Sequence, residues 1–183
     1  DTIASGFKGL IFKLCKWFGL PLVVRLSDVI TCASFDYLKH SDLGDYYESH
    51  KEKFVQVPFG VDTVRFHPGG QPSGRTVLFV GGLNAAHYFK GVSQLIQAFA
   101  RVAPAFPDAR LVLVGSGDME GAYAREAAVL GLGDRFEIRN SVSNGKDRDA
   151  LPRQYREALV SVLPSVNSSE AFGLVLLEAM ACG

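Results

Sequence analysis

Apolar and polar positions follow two different rhythms along this chain. The change falls near residue 75, and the second rhythm is the more regular. Thr76 to Val80 (TVLFV) is a short apolar run and predicts a buried strand. From Val92 to Phe106 the residues Leu95, Ile96, Phe99 and Val102 recur at helical spacing, which predicts an amphipathic helix. Leu111 to Val114 predicts a second strand, and Met119 to Leu130 a second helix stopped by Gly131 and Gly133. Phe136 to Ile138 predicts a third strand, Leu151 to Ala158 a short helix, and Val160 to Leu163 a fourth strand. A last helix is predicted from Ala171 to Gly183. Strands made of nearly unbroken apolar runs, each followed by a helix, call for an α/β fold with a parallel sheet covered on both faces. Ligands of such sheets bind beyond the carboxyl ends of the strands. Four loops should therefore share one crevice: 81–91, 115–118, 140–149 and 164–170.

The first rhythm is less even. Residues 5–26 place Phe7, Leu10, Ile11, Leu14, Trp17 and Phe18 at helical spacing, with Lys8, Lys13 and Lys16 between them. Such a helix is expected to pack on the rest of its domain. The alternative is that its basic, amphipathic face lies on an anionic membrane surface. Residues 28–34 predict a strand, 35–41 a helix and 54–57 another strand. His40 and His50 stand in polar surroundings and are expected at the surface. Residues 61–74 are rich in Gly and Pro and predict a linker. The expected division is thus residues 1–60, a linker at 61–75, and a second domain over 76–183.

The last helix raises a chemical question. Every residue from Gly173 to Ala181 is small or apolar except Glu178. A helix apolar on all sides is expected to be buried, and a buried carboxylate needs a partner. Glu170 sits just before the helix, where free backbone N–H groups near Phe172 and Gly173 would favour an anion such as phosphate. The plainer alternative makes Glu170 a first-turn carboxylate and Glu178 a core acid bonded to a backbone donor.

Composition removes several alternatives. The 183 residues allow one domain or parts of two. Lys plus Arg and Asp plus Glu are equal at 19 each, so no global field attracts nucleic acid. Cys15, Cys32 and Cys182 are odd in number and form no CxxC pair, which speaks against a disulfide framework or structural zinc and fits a reduced, cytoplasmic protein. No apolar run is long enough to predict a membrane-spanning helix. The chain lacks an initiator Met and stops directly after a helix, and it is expected to be a fragment at both ends.

The four loops carry the candidate chemistry. In GGLNAAHYFKG, Gly81 and Gly82 permit close backbone approach to a ligand, His87 could donate to a phosphate or hydroxyl, and Lys90 could neutralise a phosphate. Gly115 opens the GSGD loop, whose glycines lack the spacing of a dinucleotide fingerprint. The polar loop that includes Val142 could hold a base through backbone groups. The fourth loop leads to Glu170. A cation, glycines, a helix end and two carboxylates suit a diphosphate joined to vicinal hydroxyls, which is a nucleotide sugar. No Asp-x-Asp motif stands in a loop, so no metal is expected and charge on a leaving diphosphate would fall to the protein.

SSEAFGLVLLEAMACG resembles the E-x7-E motif of the retaining family-4 glycosyltransferases, the glycosyl transferases group 1, with Glu170 and Glu178 as its two glutamates. VPFGVD at 57–62, VGGLNAAHYFKG, VLVGSG and LPSVNSSEAFG resemble further stretches of the same family. The resemblance implies a GT-B fold of two Rossmann-like domains, residues 1–60 being the end of the acceptor-binding one and 76–183 the donor-binding one. It implies transfer of a hexose from a UDP- or GDP-sugar to a glycan or lipid-linked acceptor with retention. Glu170 would orient the sugar, Glu178 hold the ribose and Lys90 stabilise the leaving diphosphate, with the backbone at Ala171, Phe172 and Gly173 also touching the donor. Many members carry an arginine where this chain has Gly82, and His87 or a nearby arginine is the candidate to replace it. The alternatives are a non-catalytic nucleotide-sugar binding module and, from a different class, a nicotinamide oxidoreductase, for which VGGLNAAH supplies no GxGxxG.

Overall fold

Alternation along single strands shows how the larger part of the chain is built. In Arg75–Val80 (β3) and Ala109–Val114 (β4), Phe79, Leu111 and Leu113 turn to one face, and Leu78, Val112 and Val114 to the other. Both sets are buried, so each sheet face needs its own cover. The computed structural model describes residues 7–70, 72, 74–140, 149–167, 169–170 and 172–183, and for Phe7, Lys8 and Phe12 the backbone alone. Val142, Ser168 and Ala171 therefore lie outside the described residues, as does the Lys8 side chain.

The chain divides into two compact units, residues 1–59 and 60–183. In the first, Phe7–Leu14 (α1) runs through a π-helical turn, Cys15–Gly19, into Leu20–Leu26 (α2). Pro21 follows that turn, and a proline cannot donate to the helical ladder, which accounts for the local widening. The apolar stripe of this helix is not packed away among the described residues: Trp17 is 72% exposed and Phe18 61%, while Val24 is buried. Ile30–Cys32 (β1) pairs in parallel with Phe54–Gln56 (β2). Between them lie Phe35–Lys39 (α3), capped by the Ser34 hydroxyl accepting from the Tyr37 N–H, and Gly44–Ser49 (α4), a helix the sequence pattern did not predict. The Phe35, Tyr47 and Phe54 rings stack between these elements.

In the second unit the strand order is Phe136–Arg139 (β5), β4, β3, Val160–Ser161 (β6), and all pairs are parallel. Val92–Val102 (α5) and Glu120–Val129 (α6) cover one face through Val92, Leu95, Ile96, Phe99, Tyr123 and Ala127. Val102, expected on the same face as Leu95, is 48% exposed. Gly131, in the left-handed region at φ 72°, ends α6 while the Leu132 N–H donates to the Ala127 carbonyl. Ala150–Glu157 (α7) and Leu174–Cys182 (α8) cover the other face through Tyr155 and Cys182. Residues 61–74 belong to this unit, and Phe66 is buried in its second core against the Tyr155 ring.

Two expectations about α8 are corrected. The helix starts at Leu174 rather than Ala171, because Gly173 before it takes a left-handed conformation at φ 74° that breaks the helical path. Nor is it buried all round. Ala179, Ala181 and Cys182 pack inward, while Leu174, Leu176 and Met180 are exposed, Met180 by 77%.

Candidate functional site at the carboxyl edge of the sheet

Among the described residues, the loops that follow β3, β4 and β6 are joined by short backbone contacts past the carboxyl ends of the strands. The Gly81 N–H donates to the Val114 carbonyl and the Gly115 N–H to the Arg139 carbonyl, continuing the ladder past the strand ends. A Cβ on Gly115 would collide with the Gly81 carbonyl, and one on Gly117 with the Leu83 backbone. These two glycines let loop 115–118 close against loop 81–91. The contact is locked by Leu83 N–H to the Ser116 carbonyl (2.9 Å) and by Ala85 N–H to Asp118 Oδ1 (2.7 Å).

The first loop then meets the fourth. Residues Ala85–Lys90 form a 3-10 segment that ends at Gly91, φ 68°. A side chain at Gly91 would strike the Pro164 carbonyl. Two residues on, the Val166 N–H donates to the Phe89 carbonyl at 2.8 Å. This brings together two residues eighty positions apart: Lys90 Nζ donates to Glu170 Oε2 at 2.7 Å. Both side chains are largely covered, at 16% and 19% exposure. Such a pair gains little net stability once desolvation is counted, and removing one partner strands a charge. The Lys90 stem passes over Gly81, with Cδ 3.2 Å from where a Cβ would stand.

Gly82 lies beside the His87 imidazole. A Cβ at position 82 would fall 2.5 Å from His87 Nδ1, so the ring occupies the space a side chain there would take. His87 Nδ1 is buried and has no hydrogen-bond partner. The ring also stands edge-on to Phe89, with centroids 6.0 Å apart.

The second glutamate is held differently. Glu178, on α8, accepts a 2.7 Å hydrogen bond at Oε2 from the Tyr155 hydroxyl on α7. Tyr155 is 5% exposed and is wedged among Phe66, Leu78 and Val112. Burial first, then the Glu178 hydrogen bond and charge, push its phenol far above the ordinary tyrosine range, so it remains a donor. Sequence reasoning demanded a partner for Glu178 and did not name this one. The available signal was that a tyrosine on the inner face of a short amphipathic helix needs somewhere to send its hydroxyl. Phe172 is half-buried and Gly173 buried at the start of α8, whose N-terminus carries no side-chain cap. Among the described residues no three His, Cys, Asp or Glu side chains gather as a metal ion would require.

The fold and this edge define an α/β domain of the Rossmann-like kind that forms half of a GT-B glycosyltransferase. Residues 74–183 match the glycosyl transferases group 1, and the chain belongs to that family. It is similar to the D-inositol 3-phosphate glycosyltransferase of Segniliparus rotundus, 33% identical over 153 residues covering 77% of this chain and 32% of the relative. It is 36% identical over 137 residues to the phosphatidyl-myo-inositol mannosyltransferase of Mycobacterium tuberculosis, covering 70% of this chain and 33% of that protein. The chain thus spans about a third of the length of these relatives. Among solved structures, the C-terminal domain of the glycosyl transferase group 1 protein LpcC from Francisella tularensis aligns with a TM-score of 0.56 at 25% identity, covering 67% of each chain. S. aureus TarM, solved with UDP, aligns with a TM-score of 0.67 at 12% identity over 88% of this chain and 30% of TarM.

Proposed function

We propose that this chain carries the donor half of a retaining hexosyltransferase that takes a UDP- or GDP-sugar and delivers the hexose to a glycan or lipid-linked acceptor. The observation that carries the reading is the Lys90–Glu170 ion pair, with Glu178 eight residues further along the same segment and held by Tyr155. In this reading each pair supplies a group the chemistry needs.

In this reading the Lys90 ammonium leaves Glu170 in part or wholly to meet the diphosphate. Negative charge grows on that group as the glycosidic bond breaks, and a fixed cation in a partly dry site counters it. The first-turn N–H groups of α8 add their dipole to the same phosphates. Glu170, freed of its ion pair, accepts hydrogen bonds from the sugar hydroxyls and fixes the ring for attack. Glu178 accepts from the ribose hydroxyls. His87, on Gly82, donates from its ring to a phosphate oxygen where a longer side chain at 82 would otherwise reach. Gly81, Gly115, Phe172 and Gly173 shape the floor and offer backbone groups. The relatives named for inositol phosphate and phosphatidylinositol support a polyol or lipid-linked acceptor. The exposed stripe of α1 and α2 supports peripheral attachment to the cytoplasmic face of a membrane.

The test is calorimetric titration of UDP, GDP, UDP-glucose and GDP-mannose into the protein and into Lys90→Ala and Glu178→Ala. One nucleotide should bind, and both substitutions should weaken it. Binding that ignores both substitutions would refute the assignment.

A further inference from the structure

We infer that Tyr155 is a positioning residue for nucleotide recognition: its hydroxyl aims the Glu178 carboxylate so that the protein selects ribose over deoxyribose. The inference rests on the donor-site reading above and adds to it a residue on another helix.

The chemistry follows from how a carboxylate meets a vicinal diol. Two neighbouring hydroxyls, each donating one proton, need two acceptor positions at a fixed spacing and in one plane. A glutamate has three rotatable side-chain bonds, and the last is broad and weakly determined. Free in solvent, it would satisfy either hydroxyl in many orientations and would lose entropy on binding. Here one rotation is removed before any ligand arrives. The Tyr155 hydroxyl holds Oε2 at 2.7 Å, which restrains the carboxylate and leaves Oε1 and the remaining lone pair of Oε2 to accept.

Tyr155 is suited to this because it cannot itself move. Its ring lies in the core between α7 and the sheet, edge-on to Phe66 at 6.1 Å, with Leu78, Val112, Val114 and Cys182 around it. A tyrosine anchored by packing spends few degrees of freedom, so its hydroxyl is a fixed point. Glu178, by contrast, sits on α8 with a more accessible side chain than Tyr155. The pair therefore joins one immobile donor to one partly open acceptor. Were the bond only a way to satisfy a buried polar group, the core would have been served as well by phenylalanine at 155 and an apolar residue at 178.

The test uses the intact protein and its Tyr155→Phe, Glu178→Ala and double variants. Calorimetry measures the affinity for UDP and GDP and for their 2′-deoxy counterparts, and thermal melting follows each fold. Phenylalanine keeps the ring and so the packing. Tyr155→Phe should weaken the ribonucleotide that binds by about tenfold, the size of one hydrogen bond to a charged group, and the 2′-deoxy form by less than about twofold. In the Glu178→Ala background the same change should do nothing further. Equal weakening of both nucleotides, or of neither, would overturn the inference while leaving the donor site standing. A protein that binds no nucleoside diphosphate at all would overturn the donor reading and this inference together.

Discussion

Glu170 and Glu178 stand eight residues apart in one segment and are held by opposite means. Glu170 lies in a loop and answers to a charge, the ammonium of Lys90 at 2.7 Å. Glu178 lies on a helix and answers to a neutral phenol, Tyr155 at the same distance. The first pair can be exchanged. A diphosphate offers Lys90 more negative charge than a carboxylate does, so ligand binding can release Glu170 for another task. The second pair has no such competitor, because a phenol fixed in a core and never ionised near neutrality stays where it is. In the proposed donor site one carboxylate would be switched by its ligand and the other preset for it.

The largest break in that contrast should come from Lys90→Ala. It strands Glu170 and takes away the cation that meets the developing charge, and kcat/KM should fall by about 10²–10³, as when one transition-state donor is removed. Lys90→Arg restores the charge with a wider, flatter head and should recover part of the loss. Steady-state kinetics with donor and acceptor, on a protein that carries both the acceptor and donor halves, reads both. Next, Glu178→Ala should raise the Kd for the nucleoside diphosphate by about 10–100-fold, while Glu170→Gln should leave it within about threefold and act on turnover. If the two glutamates moved the same parameter, the division between a switched and a preset carboxylate would be wrong.

Smaller effects sharpen the picture. The Tyr155 phenol is raised in the folded state, so its un-ionised form favours folding. That contribution is complete below the unfolded tyrosine value of about 10 and is lost as pH rises beyond it, at up to about 1.4 kcal/mol per pH unit. Denaturant titrations from pH 9 upward should show the slope, and Tyr155→Phe should flatten it. Smallest is the fit at Gly82. Gly82→Ala sets a methyl 2.5 Å from His87 Nδ1 and must displace the ring. Its cost should shrink in a His87→Ala background, with a coupling of about 1 kcal/mol in a double-mutant cycle of thermal stability.

The same contrast separates what could be read in the residues from what could not. The parallel α/β unit was legible because its strands are unbroken apolar runs and its helices carry regular stripes. The edge where the loops gather follows from that topology. The helix before Phe54 was missed: Gly44–Ser49, GDYYES, has too few apolar residues to show a face, and it is held by Tyr47 packing on Phe35 and Phe54. Burial of α8 was expected from its composition, but composition says how apolar a helix is and not which of its sides has a neighbour. Its start was misplaced by three residues because Gly173 takes a left-handed conformation that the motif does not reveal. The surroundings of Glu178 were half legible. A carboxylate among apolar residues implies a partner, but the partner is 23 residues away on another helix.

Sequence alone determined the order of strands and α-helices in the second unit, its parallel sheet and the residue types in the loops that follow its strands. Those follow from period and propensity, which act over a few residues. It also determined the family, because a spaced pair of glutamates in that apolar segment is a long and specific pattern. Only the tertiary structure decided which of those residues meet. Lys90 reaches Glu170 because the Gly91 backbone fits under the Pro164 carbonyl, His87 fills the space over Gly82, and Tyr155 finds Glu178 across two helices. These are contacts between distant parts of the chain, set by how closely backbones approach and which side chains pack between them. No local pattern encodes such distances, since each depends on the whole sheet and its helices being in place at once.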